Sequence, residues 1–102
     1  MIIQFEDLIM TEKEAFYMKL VDSLDATTKF PTEYLYKFIV PTSGNQEVEV
    51  KELFKDKLAK IVSTKSKTGK YVSLSIKVKL SSSNEVISYY KKVENVEGII
   101  SL

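Results

Sequence analysis

The residues able to do chemistry in this chain are carboxylates, lysines, tyrosines and hydroxyls, because histidine, cysteine and arginine are all missing. Without histidine and cysteine there is no ordinary proton shuttle at neutral pH, no thiol nucleophile and no usual metal ligand. Without arginine there is no planar fork to hold a phosphate bidentately. These absences argue against acylphosphatase-type hydrolysis, ferredoxin clusters and metal carriage.

The remaining groups have structural explanations. Most of the fourteen acids stand at predicted helix starts or on polar helix faces, where the helix dipole and solvation account for them. No nucleophile with a plausible base is visible. We therefore expect a protein that is not an enzyme and that needs no cofactor or metal. Five tyrosines are interpreted as core or half-buried rings: Tyr17, Tyr34, Tyr36, Tyr89 and Tyr90.

The lysines are concentrated in the second half of the chain. Residues 1–50 carry four lysines against nine acids, and residues 51–102 carry eleven against five. Between Asp56 and Glu85 there are seven lysines and no acid. This pattern indicates either a surface for an anionic ligand or lysines that protect edge strands from aggregation. The second interpretation is preferred.

Two stretches predict long strands. From Gly69 to Leu80 apolar and polar residues alternate without a break, which is typical of a strand with one buried and one exposed face. Tyr34–Val40 alternates in the same way, and Pro41 is expected to end it. The apolar set directed toward the helices is Tyr36, Phe38, Val40, Val72, Leu74, Ile76, Val78 and Leu80.

Three helices are expected. Thr11 and Glu14 form a capping box for an amphipathic helix over residues 12–25, whose apolar stripe is Phe16, Leu20, Val21 and Leu24. This helix either docks a partner or, as preferred, packs on its own domain. The preceding segment, Met1 to Met10, is compatible with helix or strand.

The second helix follows a cap formed by Ser43 with Gln46, or by Asn45 alone. The last helix follows the capping box of Ser82 and Glu85. The expected buried positions are Val50, Leu53, Phe54 and Leu58 in the second helix, and Val86, Tyr89, Tyr90 and Val93 in the last. Lys60–Lys65 and Ile99–Leu102 are expected as short strands.

The order of elements predicts an α+β fold of the ferredoxin-like type, β-α-β-β-α-β, with an extra N-terminal helix. Two right-handed crossovers place the first and third strands in the centre of a four-stranded antiparallel sheet, with two helices on one face. We expect an N-terminal extension over residues 1–29 and the ferredoxin-like domain over 30–102.

The second face of that sheet is the first candidate site. It is expected to be open, covered by the N-terminal helix, or buried in a homodimer. An RNA-recognition domain would need several stacking aromatics there, and only Tyr71 is present, so nucleic-acid binding is not favoured. Weak binding of anions or nucleic acid through the lysines remains the alternative. The residues of this face are Lys37, Ile39, Tyr71, Ser73, Ser75, Lys77 and Lys79.

The turn after the first strand is the second candidate site. In regulatory domains of the ACT type, effectors bind near this turn, where the free N–H groups of a helix start face an anionic group. The residues placed to do so are Thr42, Ser43, Gly44 and Asn45. The alternative interpretation, which we prefer, is that they form an ordinary helix cap.

Two segments resemble one known family. FPTEYLYKFIV (Phe30–Val40) resembles the F-P-x-x-[FY]-x-Y-K pattern of the first strand in the YbeD-like family of small bacterial proteins of unknown function. KTGKYVSLSIKV (Lys67–Val78) is similar to that family's G-x-Y-x-S-[apolar]-S-[apolar] hairpin strand, and the resemblance covers residues 30–102. It implies a fold similar to ACT-type regulatory domains, a regulatory role sometimes linked to lipoate metabolism, and no catalytic residues.

These observations together predict a small regulatory or protein-interaction domain. It would sense a small metabolite of unknown identity, or dock on a metabolic enzyme or another protein. No apolar run approaches the length of a membrane span, and Glu6 and Asp7 argue against a signal peptide. With the missing cysteines, this favours the bacterial cytoplasm.

Overall fold

The computed structural model describes residues 12–102, which form one four-stranded sheet and three helices. The elements in chain order are α1 (Glu12–Thr27), β1 (Thr32–Pro41), α2 (Gln46–Leu53), β2 (Lys60–Lys65), β3 (Tyr71–Leu80), α3 (Ser83–Val93) and β4 (Ile100–Ser101). All strand pairs are antiparallel and the order across the sheet is β2-β3-β1-β4. The predicted α+β class and the central places of the first and third strands are confirmed. The expectations for Met1 to Met10 and for the Thr11 cap lie outside the described residues.

Strands β1 and β3 are the long centre of the sheet. They pair over ten positions, from Thr32 opposite Leu80 to Pro41 opposite Tyr71. Their alternation of apolar and polar residues sets this register, since a slip of one residue would move every apolar side chain to the wrong face. Strand β1 is longer than predicted, because it begins at Thr32 and keeps Pro41 as its last residue.

The core lies between the sheet and helices α2 and α3. All eight apolar side chains predicted to face the helices are buried, so the predicted orientation of both central strands is confirmed. Helix α2 contributes Val50, and Phe54 follows it directly; helix α3 contributes Val86, Tyr89 and Val93. The rings of Phe54 and Tyr89 stack with centroids 4.7 Å apart, which joins the two helices over the sheet.

Helix α3 is fixed at its start by the predicted cap. The Ser82 hydroxyl accepts a hydrogen bond from the Glu85 N–H at 3.1 Å. The Glu85 carboxylate accepts from the N–H of Ser81 at 2.7 Å, one residue earlier than in a regular capping box. Its other oxygen accepts from Lys57 Nζ at 2.7 Å, so the start of α3 is also tied to the turn after α2.

Helix α1 packs on α3 rather than standing free, which is the preferred of the two predicted arrangements. The Tyr17 ring stacks on Tyr90 with centroids 6.1 Å apart, and its hydroxyl donates to Glu94. At the other end of the helix, Ser83 Oγ donates to Asp25 at 2.6 Å. The predicted stripe was wrong at Phe16, which is 58% exposed, because the adjacent Tyr17 takes the buried position.

Helix α2 is shorter than its apolar pattern suggested. It ends at Leu53, and Phe54 closes it with its N–H bonded to the Lys51 carbonyl. The following residues turn away, and Leu58 has φ +42° and is fully exposed. The predicted core position of Leu58 was therefore wrong, because α2 ends at Leu53 and the helical stripe does not continue to residue 58.

Candidate interaction face

One face of the sheet has no helix over it within residues 12–102. On all four strands, the side chains that point away from the helices lie on this face, which we call the open face. Helix α1, which was one predicted cover, lies against α3 instead. The open face consists of Glu33, Leu35, Lys37, Ile39, Lys60, Val62, Thr64, Tyr71, Ser73, Ser75, Lys77, Lys79 and Ile100.

An apolar cradle lies on one half of this face. Ile39 stands between Ile100 on β4 and Ser73 on β3, and Thr64 lies beyond Ser73 on β2. These side chains, with Tyr71 at one end, line a shallow depression of about 500 Å³. Tyr71 is 46% exposed and Ile100 50%. The cradle fits an apolar side chain. Hydroxyl groups and a lysine side chain of this protein lie at the rim of the cradle.

The other half of the open face is basic. Lys60 and Lys77 stand directly opposite each other on β2 and β3, an arrangement that costs stability because like charges repel at this spacing. Lys37 lies one row nearer the cradle, opposite Ser75. Among the described residues, none of these three lysines forms an ion pair. This half therefore presents positive charge to whatever approaches it.

The structure brings together all seven residues that the sequence predicted for this face. It adds side chains that sequence reasoning missed, namely Val62, Thr64 and Ile100. The place of Val62 and Thr64 on this face was predictable, because the hairpin turn after Lys65 fixes the register of β2 against β3. For Ile100 there was no comparable signal, since a two-residue strand has no alternation to follow.

The second predicted site, Thr42 to Asn45, is held in place by the sheet and by α2. The Thr42 N–H donates to the Lys70 carbonyl at 3.0 Å and its hydroxyl to the Gly69 carbonyl at 2.6 Å, so Thr42 serves the hairpin turn. Ser43 and Gly44 lie in the connecting bend. Asn45 is at the N-cap position but makes no capping side-chain bond, so the predicted caps through Ser43 or the Asn45 side chain do not form.

Gln46 lies directly beneath this bend. Its side chain is buried, and its Oε1 has no hydrogen-bond partner among the described residues. A Cβ on Gly44 would stand 2.6 Å from this oxygen, so a larger residue there would require the end of the Gln46 side chain to shift. A buried acceptor without a donor is costly, and it is the one feature of this bend that favours a bound polar group.

The tyrosine hydroxyls form a cluster between the helices and the sheet. Tyr34 and Tyr90 share a hydrogen bond at 2.8 Å, and Tyr36 donates to the Val86 carbonyl at 2.9 Å. Burial is the main cause that raises the pKa of Tyr36, of Tyr90 and of Tyr17 above the usual range of a phenol. These phenols are protonated at neutral pH, and their hydroxyls serve packing and hydrogen bonding.

No group of three or more acidic side chains in the described part of the chain could hold a metal ion. Within residues 12–102 there is also no helix that is both long and apolar enough to cross a membrane.

Comparisons with known proteins bear on the family. No curated protein matches the chain, and no solved structure does. One family model does match, over residues 25–102, a span that contains the whole sheet and both helices that pack on it. The chain therefore belongs to the family described as "Protein of unknown function (DUF493)", which is the YbeD-like family that its two strand segments resemble.

Proposed function

We propose that this protein is a non-enzymatic regulatory domain of the bacterial cytoplasm that docks on a protein partner, such as a metabolic enzyme, through the open face. The observation that carries the proposal is the contiguous apolar cradle on an uncovered sheet face. Single exposed apolar residues are normal on protein surfaces, whereas adjacent ones rimmed by polar groups mark interaction sites. The register makes Ile39, Ile100 and Tyr71 part of one such group.

We also infer that the domain is ferredoxin-like and related in architecture to ACT-type domains. The β-α-β-β-α-β order after α1 and the position of β1 and β3 in the centre of the sheet support this inference. Since one fold serves many functions, the docking proposal depends on the residues of the open face and not on this likeness.

The experiment uses a photo-crosslinking amino acid at Ser75, in the middle of the open face, in the native host. The partner captured there is then purified, and its affinity for the full chain is measured. Ile39→Asp places an unpaired charge in the cradle, and we expect it to weaken binding by tenfold or more, about 1.4 kcal/mol. Val48→Asp changes a more exposed apolar residue, a valine on α2 that is 59% exposed, and should leave the affinity unchanged. Equal affinities for the two variants would refute the proposal.

A second candidate function is weak binding of anions or nucleic acid on the basic half. The opposed pair Lys60 and Lys77 favours it, since an anionic ligand would relieve their repulsion. Binding of single-stranded oligonucleotides should then fall steeply with salt and be reduced by Lys77→Glu. No binding at low salt would dismiss this candidate.

The metabolite-sensing role remains a third candidate, at the bend from Thr42 to Asn45. The unpartnered Gln46 Oε1 supports it, because a ligand that donates a hydrogen bond would satisfy that oxygen. Any ligand of the folded state raises the melting temperature, so thermal shifts against amino acids and lipoyl compounds are a direct screen. A ligand whose effect is unchanged by Asn45→Ala and by Gln46→Leu would bind elsewhere.

A further inference from the structure

Two of the three lysines in the basic half lie on central strands of the sheet. Lys37 is on β1 and Lys77 on β3, whereas Lys60 is on the edge strand β2. Lysine guards a strand against unwanted pairing where backbone groups are free, which is at the edge of a sheet. Edge protection therefore accounts for Lys60, and the two central lysines need another explanation.

The open face balances its charge in one row of side chains and leaves the neighbouring rows positive. Lys79 stands directly opposite Glu33, so this row holds one charge of each sign. The next two rows on β1, β2 and β3 hold three lysines and no acidic side chain; they consist of Lys60, Lys77 and Leu35, and of Val62, Ser75 and Lys37. The charge of these two rows is not compensated on the face itself, and it attracts carboxylates.

The cradle and the lysines are arranged along the same strands. Lys37 is two residues from Ile39 on β1, and Lys77 is four residues from Ser73 on β3. Since a strand rises about 3.3 Å per residue, the lysine positions lie about 7 Å and about 13 Å from the row of the cradle. A partner segment that follows the strands can therefore place an apolar side chain in the cradle and carboxylates over the lysines at the same time.

Two other occupants match the open face less well. A second copy laid face to face would bring its own lysines against these, and like charges across an interface oppose binding. Single-stranded nucleic acid is bound by stacking its bases on aromatic rings, and Tyr71 is the only aromatic side chain among the described residues of this face. An acidic protein segment fits both the cradle and the basic half.

We propose that the partner protein binds the open face through an acidic segment, with one apolar side chain in the cradle and at least two carboxylates over Lys37, Lys60 and Lys77. This assignment rests on the proposed docking function and adds the chemistry of the partner. The charges orient the segment and speed its approach. Salt weakens their contribution by screening, whereas the apolar contact in the cradle is not screened.

The experiment uses the partner protein captured at Ser75, treated with nuclease, and measures its affinity for the full chain. Lys77→Glu reverses one charge of the basic half and removes the repulsion with Lys60, so it keeps the sheet intact. We expect it to weaken binding about tenfold at about 0.1 M salt and at most about twofold at about 1 M. Lys91→Glu makes the same change of net charge at an exposed position on α3, and it should leave the affinity unchanged.

A carbodiimide locates the contact, because it couples an amine to a carboxylate that lies against it. We expect amide bonds, identified by mass spectrometry, from Lys37, Lys60 or Lys77 to aspartate or glutamate of the partner. Unchanged affinity of Lys77→Glu without such a bond overturns the proposal, as does a bond from these lysines to a second copy of this chain, or loss of the complex on nuclease treatment. If Ile39→Asp alone weakens binding, the acidic segment is refuted and the docking function stands; if neither variant does, both are refuted.

Discussion

Replacing Gly98 with alanine tests how β4 is held in the sheet. Gly98 has φ +74°, and a Cβ built on it would stand 2.8 Å from Cγ and 3.2 Å from Cδ of Pro41. Pro41 is the last residue of β1, so this contact holds the chain before β4 against the central strand. Gly69 is a matched control, because it has φ +73° but nothing within 4 Å of its Cβ position.

The two substitutions share every cost except the contact with proline. Alanine in the left-handed region costs about 1–2 kcal/mol, partly offset by about 0.4–1 kcal/mol from reduced freedom of the unfolded chain. At Gly98 the added methyl must also displace a ring that cannot rotate away, which we place at about 1–3 kcal/mol by comparison with overpacked cores. We expect Gly69→Ala to cost about 1 kcal/mol and Gly98→Ala about 2–4 kcal/mol.

Urea denaturation measures the total loss, and hydrogen exchange locates it. Strand β4 pairs with β1 only through Ile100 and Ser101, and the next N–H, of Leu102, donates to the Lys37 carbonyl at 2.9 Å. Such a short edge element can detach without global unfolding. We therefore expect Gly98→Ala to speed exchange of the Leu102 amide more than exchange in β3, and to remove Ile100 from the cradle.

The refuting result is equal behaviour of the two variants. If Gly98→Ala costs no more than Gly69→Ala and leaves the Leu102 amide as protected as in the native chain, the contact with Pro41 does not hold β4. The account of the cradle at Ile100 would then fail with it.

Three further predictions concern stability. The hydrogen bond from Lys57 is the largest cause that lowers the pKa of Glu85 in the folded protein. The Glu85 carboxylate therefore stabilises the fold above its unfolded pKa of about 4.3, and this stability is lost as the pH falls through the lower folded pKa. Glu85→Gln should accordingly flatten the acid limb of a pH–stability curve. The buried hydroxyl of Tyr36 donates to a backbone carbonyl of α3, so Tyr36→Phe should cost about 1 kcal/mol in urea denaturation, and no loss would show that the bond contributes nothing net. Lys77→Glu should stabilise the fold by about 0.2–1 kcal/mol, because it converts the repulsion with Lys60 into attraction; a loss of stability would contradict this account of the basic half.

The centre of the sheet was predictable because its two strands carry a simple signal. In β3 the residues alternate over ten positions, and in β1 Tyr36, Phe38 and Val40 do the same. Alternation of this length specifies both the strand and the face that it buries. The open face followed from the same signal, since a residue that points away from the helices must point toward the other side.

The helices were less predictable because their faces depend on tertiary contacts. Phe16 and Tyr17 are adjacent, and the contacts of Tyr17 with the ring of Tyr90 and with the Glu94 carboxylate decide that Tyr17 is the one to be buried. Leu58 fits a helical stripe in sequence, but α2 ends at Leu53 and the stripe has no helix to follow. Periodicity cannot locate a helix end that is set by packing rather than by a glycine or proline.

The residues that stabilise the fold lie on the buried face of the sheet, and the residues proposed to bind a partner lie on the open face. The buried face supplies the core, and a side chain such as Leu74, fully enclosed there, would cost about 2–5 kcal/mol if cut to alanine. The open face carries two features that folding does not need and that lower the stability of the uncovered face: Lys60 stands opposite Lys77, and Leu35, Val62 and Ile100 are about half exposed or more. Polar β-formers would serve the sheet equally well at these positions. Under the proposed docking function a partner would cover these apolar side chains and neutralise the lysines, so substitutions of the exposed apolar residues should change binding while changing the melting temperature little.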